Sequence, residues 1–165
     1  MKQPDLNAVR ERIDQVRKRN EQRVLGVVLR GHKALYLETN GAIGSSLFGS
    51  PCLLLTATGR VTGKPRTVAL MYATDGEDLV VVGSNGGADQ PPEWLENIRA
   101  NGHVALQVKR ERFAATADVV DQNDRRYERL WRLVNTAAHG RYYHYQQATT
   151  RPIPVVVLSR ANEDA

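Results

Sequence analysis

The sequence predicts an α+β fold: an antiparallel sheet, closed as a barrel or left open, with helices inserted between its strands and ahead of them. Two observations carry this. About six short runs of β-forming residues follow one another, several joined by glycine-bearing turns, and hairpin connections impose antiparallel pairing. Stretches of helical period lie before and between these runs, and hairpin pairing argues against a doubly wound parallel sheet. At 165 residues, 41% of them apolar and 25% charged, the chain has the length and texture of one globular domain.

In chain order, residues 5–23 read as a helix that Asp5 or Asn7 can cap, with Leu6, Val9, Ile13 and Val16 in one narrow apolar stripe. Asn20 and Arg23 break that stripe. A second helical stretch is expected over 24–38, stopping at the Asn40-Gly41 turn signal, and residues 44–51 read as a loop. Strands are then expected at 52–58 and 66–74 around the turn 59–65, and at 79–84 after the hairpin turn from Asp75-Gly76 to Asp78. A short helix with proline at its start fits 91–101. Strands 103–110 and 112–120, a helix 121–138, a tyrosine-rich segment without strong period, and a last strand 153–159 complete the reading. This divides the chain into an N-terminal helical extension, 1–40, and a strand-rich body, 41–165.

Charge is unevenly placed. The formal net charge is +5, and residues 1–33 hold nine cations against four carboxylates, while residues 34–165 balance at fourteen against fourteen. The body is therefore not a nucleic-acid binder by charge, and the basic segment is a solvated helix face or a contact for anionic lipid or ligand. The first 23 residues are charged throughout, unlike a signal peptide, and the apolar run 24–29 is too short to cross a bilayer. Together with the single cysteine, Cys52, which reads as a buried core thiol, this leads to an expected cytoplasmic location, peripheral to the membrane if residues 5–29 touch it.

Four patterns could carry chemistry. The segment Thr58 to Thr67 places Arg60, Lys64 and Arg66 around a glycine-containing turn, in a span from Thr39 to Thr74 that has no carboxylate. Glycine lets backbone N–H groups approach a ligand and the cations supply charge, which suits a phosphate or carboxylate, although the spacing is not that of a P-loop. Ser84-Asn85-Gly86-Gly87 leaves a strand ahead of a helix and suits close backbone approach to a planar or phosphorylated ligand. Trp94 and Asn97 lie three apart and share a helix face. Tyr142, Tyr143 and Tyr145 could line an aromatic pocket. Each pattern alone is also compatible with an ordinary turn, a solvated tip or a packing contact. The four histidines lack metal-ligand spacing, so no metal site is expected, and no nucleophile motif is present.

Taken in order, TGRVTGKPRT, then LMY, DGEDLVVVGSNGG, PEWLENIRANGHVALQV, a tyrosine-rich segment and RPIPVVVL resemble the deazaflavin-dependent nitroreductase family, over roughly residues 44–158. The resemblance implies a split β-barrel, shared with flavin reductases and pyridoxamine-phosphate oxidases, and coenzyme F420 as the hydride carrier. It implies that Arg60, Lys64, Pro65 and Arg66 hold the coenzyme's phosphate and tail. Met71 and Tyr72 would lie beside the deazaflavin ring, with Ser84, Asn85, Gly86 and Gly87 around the ring and ribityl chain. Trp94 and Asn97 would face the coenzyme, and Tyr142 and Tyr145 would wall the acceptor pocket. Val61 and Asn85 stand where some members carry cations, and His139 where others carry an aromatic residue.

The reaction so implied is hydride transfer from reduced F420 to a small organic acceptor such as a quinone, nitro or enone compound, with Tyr142, Tyr145 or Ser84 orienting the acceptor or donating to it. The alternatives from the same residues are an FMN-dependent reductase or oxidase and a non-catalytic carrier of a deazaflavin or lipid. The oligomeric expectation is a monomer or a homodimer.

Overall fold

A computed structural model describes residues 6–39, 41, 44–47 and 49–161; in the first helix, side chains are described at 15–17, 23, 24, 26–28 and 30–39. Helix α1, Leu6–Glu38, is one continuous helix and not the two expected. A change of polarity at Asn20 and Arg23 shifts the apolar stripe but breaks no i to i−4 hydrogen bond, so it cannot end a helix. Termination occurs where Gly41, at φ +77°, donates to the Tyr36 carbonyl at 2.8 Å. A Cβ on Gly41 would collide with the Lys109 backbone, so the turn passes against a hairpin of the sheet. Tyr36 pins the helix: its ring is wholly buried, and its hydroxyl accepts from the Lys109 N–H at 2.6 Å.

Among the described residues the sheet has eight strands. They are β1 Ser46–Leu47, β2 Ser50–Thr58, β3 Pro65–Met71, β4 Ala73–Asp75, β5 Asp78–Val82, β6 His103–Val108, β7 Glu111–Val120 and β8 Val155–Arg160. The path is β1-β2-β6-β7-β8-β5-β4, with β3 also on β2, and every pairing is antiparallel. Two details differ from the sequence reading. The expected loop 44–51 contains β1 and the start of β2. The expected strand 66–74 is two strands, because the chain changes partners at Tyr72: β3 pairs with β2, and β4 pairs with β5 at the far end of the path. That single residue joins the two ends of the curled sheet into a split barrel.

Three further helices cover the barrel: α2 Glu93–Ala100, α3 Tyr127–Ala137 and α4 Arg141–Gln147. Leu95 and Ile98 of α2 pack with Leu53, Leu55, Val81, Leu106 and Val156 in one core. Tyr127, Leu130, Trp131 and Val134 of α3 pack with Val80, Val82, Val155 and Tyr142 in another. The expected helix start at 121 moves to Tyr127, because the Asp124 carboxylate accepts from the Arg126 N–H at 2.8 Å and holds its guanidinium, fixing turns ahead of α3. The tyrosine-rich segment is a helix, reached through two left-handed residues, His139 at φ +53° and Gly140 at φ +76°. Cys52 is buried, and burial pushes its thiol up to about 11, as a core residue requires. Among the described residues, no helix is long and apolar enough to cross a membrane.

Candidate functional site

Two cavities adjoin on the open side of the barrel. The first, of about 280 Å³, is walled by Val68, Ala69, Leu70 and Met71 of β3, Val82 of β5, Ser84, Asn85, Gly86 and Ala88 of the following loop, and Pro92 and Trp94 at α2. Arg141, Tyr142 and Tyr145 of α4 close one side, and Gly26 of α1 and Leu47 of β1 close another. The second, of about 410 Å³, is walled by Gly59, Arg60, Val61, Thr62, Arg66 and Thr67 of the β2–β3 hairpin and by Glu93, Trp94 and Asn97 of α2, with Val68. Val68 and Trp94 belong to both walls, so the aromatic, mostly apolar lobe runs into a lobe lined by two arginines.

Each wall follows from local structure. Asn85–Gly87 forms a single 3-10 turn in which Asn85 and Gly86 adopt φ +47° and +62°, which takes the chain out of β5 along the cavity wall. The Asn85 amide donates to the Gln90 carbonyl at 2.9 Å, and the Arg151 guanidinium donates to the carbonyls of Gly83 at 3.2 Å, Ser84 at 2.7 Å and Ala88 at 2.8 Å. Arg151 is thus a clamp on this loop. Tyr142 and Tyr145 share a face of α4, with ring centroids 6.1 Å apart. Burial first, and then the neighbouring Tyr145, raises the Tyr142 hydroxyl pKa well above the ordinary phenol, with Arg141 opposing; Tyr142 therefore stays protonated and can donate a hydrogen bond.

In the basic lobe, the buried Asn97 carbonyl accepts from the Arg60 backbone N–H at 3.1 Å and from its guanidinium at 3.3 Å. This ties the hairpin to α2 beside Trp94. Glu93 forms an ion pair with Arg60 at 2.6 Å. The carboxylate-free span seen in the sequence is therefore not carboxylate-free in space, since α2 brings an acidic side chain to the hairpin.

Of the residues expected at the site, Arg60, Arg66, Met71, Ser84, Asn85, Gly86, Trp94, Asn97, Tyr142 and Tyr145 line one cavity or the other. Four do not. Lys64 and Pro65 are exposed and lie off both walls; the Lys64 carbonyl instead closes the hairpin by accepting from Gly59 N–H at 2.9 Å. Tyr72, the residue between β3 and β4, packs with the core under α2 and lines neither cavity. Gly87 lets α4 approach: a Cβ there would lie 2.7 Å from the Tyr145 carbonyl. The sequence reading missed Arg141, Arg151 and the wall contributed by Gly26. Arg141 sits directly before the singled-out tyrosines and Arg151 opens the RPIPVVVL motif, but neither motif assigns them a role, and Gly26 bears no local motif.

The curled antiparallel sheet, joined end to end through Tyr72, is a split barrel with a two-lobed cleft. A solved F420-H2 dependent reductase is 33% identical, with a TM-score of 0.59 over 66% of this chain and 94% of that one. A second solved structure, a domain-swapped dimer, is 30% identical with a TM-score of 0.60 over 89% and 98%. An F420H(2)-dependent quinone reductase of Mycobacterium tuberculosis (strain ATCC 25618 / H37Rv) is 47% identical over 141 residues, 84% of this chain and 95% of the relative. The family model F420H(2)-dependent quinone reductase matches residues 28–160, and the chain belongs to that family.

Proposed function

We propose that this chain binds reduced coenzyme F420 along the two-lobed cleft and reduces a quinone in its aromatic lobe. The continuity of the cleft through Trp94 and Val68 carries the reading: an elongated molecule, planar and aromatic at one end and anionic at the other, fits a cavity that is apolar at one end and holds Arg60 and Arg66 at the other. Gly86, at φ +62°, admits close approach on one side, and Met71 offers an adaptable apolar wall on another. When bound, reduced F420 supplies a hydride, two electrons and one proton together. The chain's own part is to hold the acceptor against the coenzyme and to exclude water from the apolar lobe. The Tyr142 and Tyr145 hydroxyls and Ser84 offer donors toward an oxygen that gains charge.

Equilibrium titration of the full chain with oxidised F420 and, in parallel, with FMN tests this by fluorescence. Deazaflavin binding at least about tenfold tighter than FMN, a difference of roughly 1.4 kcal/mol, is expected. The reverse preference would move the chain to the flavin branch and withdraw the tail-binding role of Arg60 and Arg66.

A specific observation also favours contact with the inner face of a membrane, where quinones partition. Val24, Val28 and Leu35, spaced by four and seven residues, are exposed on one side of α1 beside Val27. Gly26 and Lys33, themselves seven apart, face the body on the other side, where Lys33 donates to the Thr67 carbonyl at 3.3 Å. Arg17, Arg23 and Arg30 are exposed along the same helix. Co-sedimentation with anionic vesicles, lost on serine replacement of Val24, Val27 and Val28, is the expected result; recovery in the vesicle pellet no greater than in a lipid-free control would remove the lipid contact.

A further inference from the structure

We propose that Arg141 is the cation that stabilises the oxyanion formed on the quinone in the aromatic lobe. This rests on the reading of that lobe as the acceptor site. Among the described residues that wall the lobe, Arg141 is the only charged side chain; the others are apolar or neutral, and no carboxylate is among them. Arg141 lines a cavity whose other walls are mostly apolar, and a charge beside apolar walls is screened less than one surrounded by water. Its charge is felt at the Tyr142 hydroxyl, where it opposes the effect of burial.

Arg141 is the first residue of α4, where the helix dipole favours negative charge, so an arginine gains nothing from the helix at that position. Its backbone is set by the left-handed pair His139 and Gly140, which turns the chain out of α3 and starts α4 at the rim of the lobe. Tyr142 follows it into the wall, whereas Tyr143 points away and packs edge-on against Trp131 with centroids 6.1 Å apart.

The chemistry requires such a group. A quinone that takes up a hydride gains two electrons and one proton, and one carbonyl oxygen becomes an oxyanion while the coenzyme is oxidised. One proton from solvent then completes the hydroquinone. A neutral phenol such as Tyr142 can donate a hydrogen bond to that oxygen, but only a cation offsets its charge before the proton arrives. An arginine remains protonated throughout, so it acts as an electrostatic partner and not as the proton donor.

The test uses Arg141→Gln and Arg141→Lys in the full chain. With reduced F420, kcat/KM for a neutral naphthoquinone is expected to fall by about 10²-fold in the Gln variant and to recover partly in the Lys variant. The readout independent of turnover is binding of a hydroxynaphthoquinone, an anion at neutral pH, to protein saturated with oxidised F420. Its Kd is expected to rise at least about tenfold in Arg141→Gln, with the Kd of the neutral naphthoquinone and that of F420 changed less than about twofold. Equal weakening of neutral and anionic quinones would overturn the charge role, as would unchanged binding of both. Loss of F420 affinity in Arg141→Gln would assign the residue to the coenzyme instead. If wild-type protein fails to bind F420 at all, the reading of the lobe falls together with this proposal, a result separate from any effect of the variants.

Discussion

At the residue scale, function rests on a few side chains whose surroundings decide their state. Tyr145 lies half-buried on the wall of the aromatic lobe and touches the ring of Tyr142, so removing its hydroxyl leaves the packing in place. Tyr145→Phe is expected to lower quinone turnover about tenfold while the F420 Kd moves less than twofold, as loss of one donor from a set of several should. Stopped-flow reduction at saturating coenzyme reads this, and an unchanged rate would exclude the Tyr145 hydroxyl from the reaction. Arg151 acts at one remove. It donates to three loop carbonyls, so Arg151→Met leaves those acceptors without their charged donor and is expected to cost about 2–4 kcal/mol by urea unfolding. In a partly folded background F420 affinity should fall as well, because Ser84 and Gly86 lose their setting. The motif residues Arg60, Ser84, Trp94 and Tyr142 were legible because family order marks them. Arg151 is marked too, as the first residue of RPIPVVVL, but its clamp on the loop was not legible, since it reaches across more than sixty residues of sequence and its partners are backbone atoms that any sequence would offer.

At the element scale, most strands were legible, apart from β1 and the break between β3 and β4, and the helix boundaries were less so. β2 and β8 announce themselves as apolar runs because both of their faces are covered, β2 by α1 on one side and α2 on the other. The break at Tyr72 was hidden, since a strand that exchanges one partner for another keeps its composition. α4 was hidden for a different reason: seven residues with only two inward tyrosines carry too little period to register. The start of α3 was misplaced because Asp124 favours turns over helix by binding its own neighbourhood. That local hold has a pH signature. The Arg126 guanidinium, with its backbone N–H, lowers the Asp124 carboxyl to about 2, below its unfolded value. A depressed carboxyl contributes stability above the unfolded pKa, and that contribution is lost as pH falls through the folded one. Wild-type Tm is therefore expected to drop between about pH 4 and pH 2 by more than that of Asp124→Asn, followed by circular dichroism. Parallel curves would show that the turn contributes nothing to the fold.

At the scale of the whole molecule, the cleft couples three separate parts. β3 and the β5–α2 loop form its floor, α2 divides its two lobes through Trp94, and α4 and α1 form opposite rims. A ligand that fills both lobes must hold these parts together, and by linkage it stabilises the fold by RT ln(1 + [L]/Kd). F420 at one hundred times its Kd should contribute about 2.7 kcal/mol, which for a domain of this size raises Tm by about 5–10 °C. The basic lobe can be isolated in the same experiment. Replacing both Arg60 and Arg66 by alanine removes the two arginines that line the second lobe and leaves the aromatic lobe's lining residues in place. If the double variant weakens F420 tenfold, the shift at the same coenzyme concentration should fall to about half. Arg60→Ala also releases Glu93 from its ion pair, so the Tm of the unliganded variant must be measured first and each shift taken from its own baseline. A full-sized shift in the double variant would mean that the anionic end of the coenzyme lies outside the second lobe, and that the cleft is used only around its aromatic end.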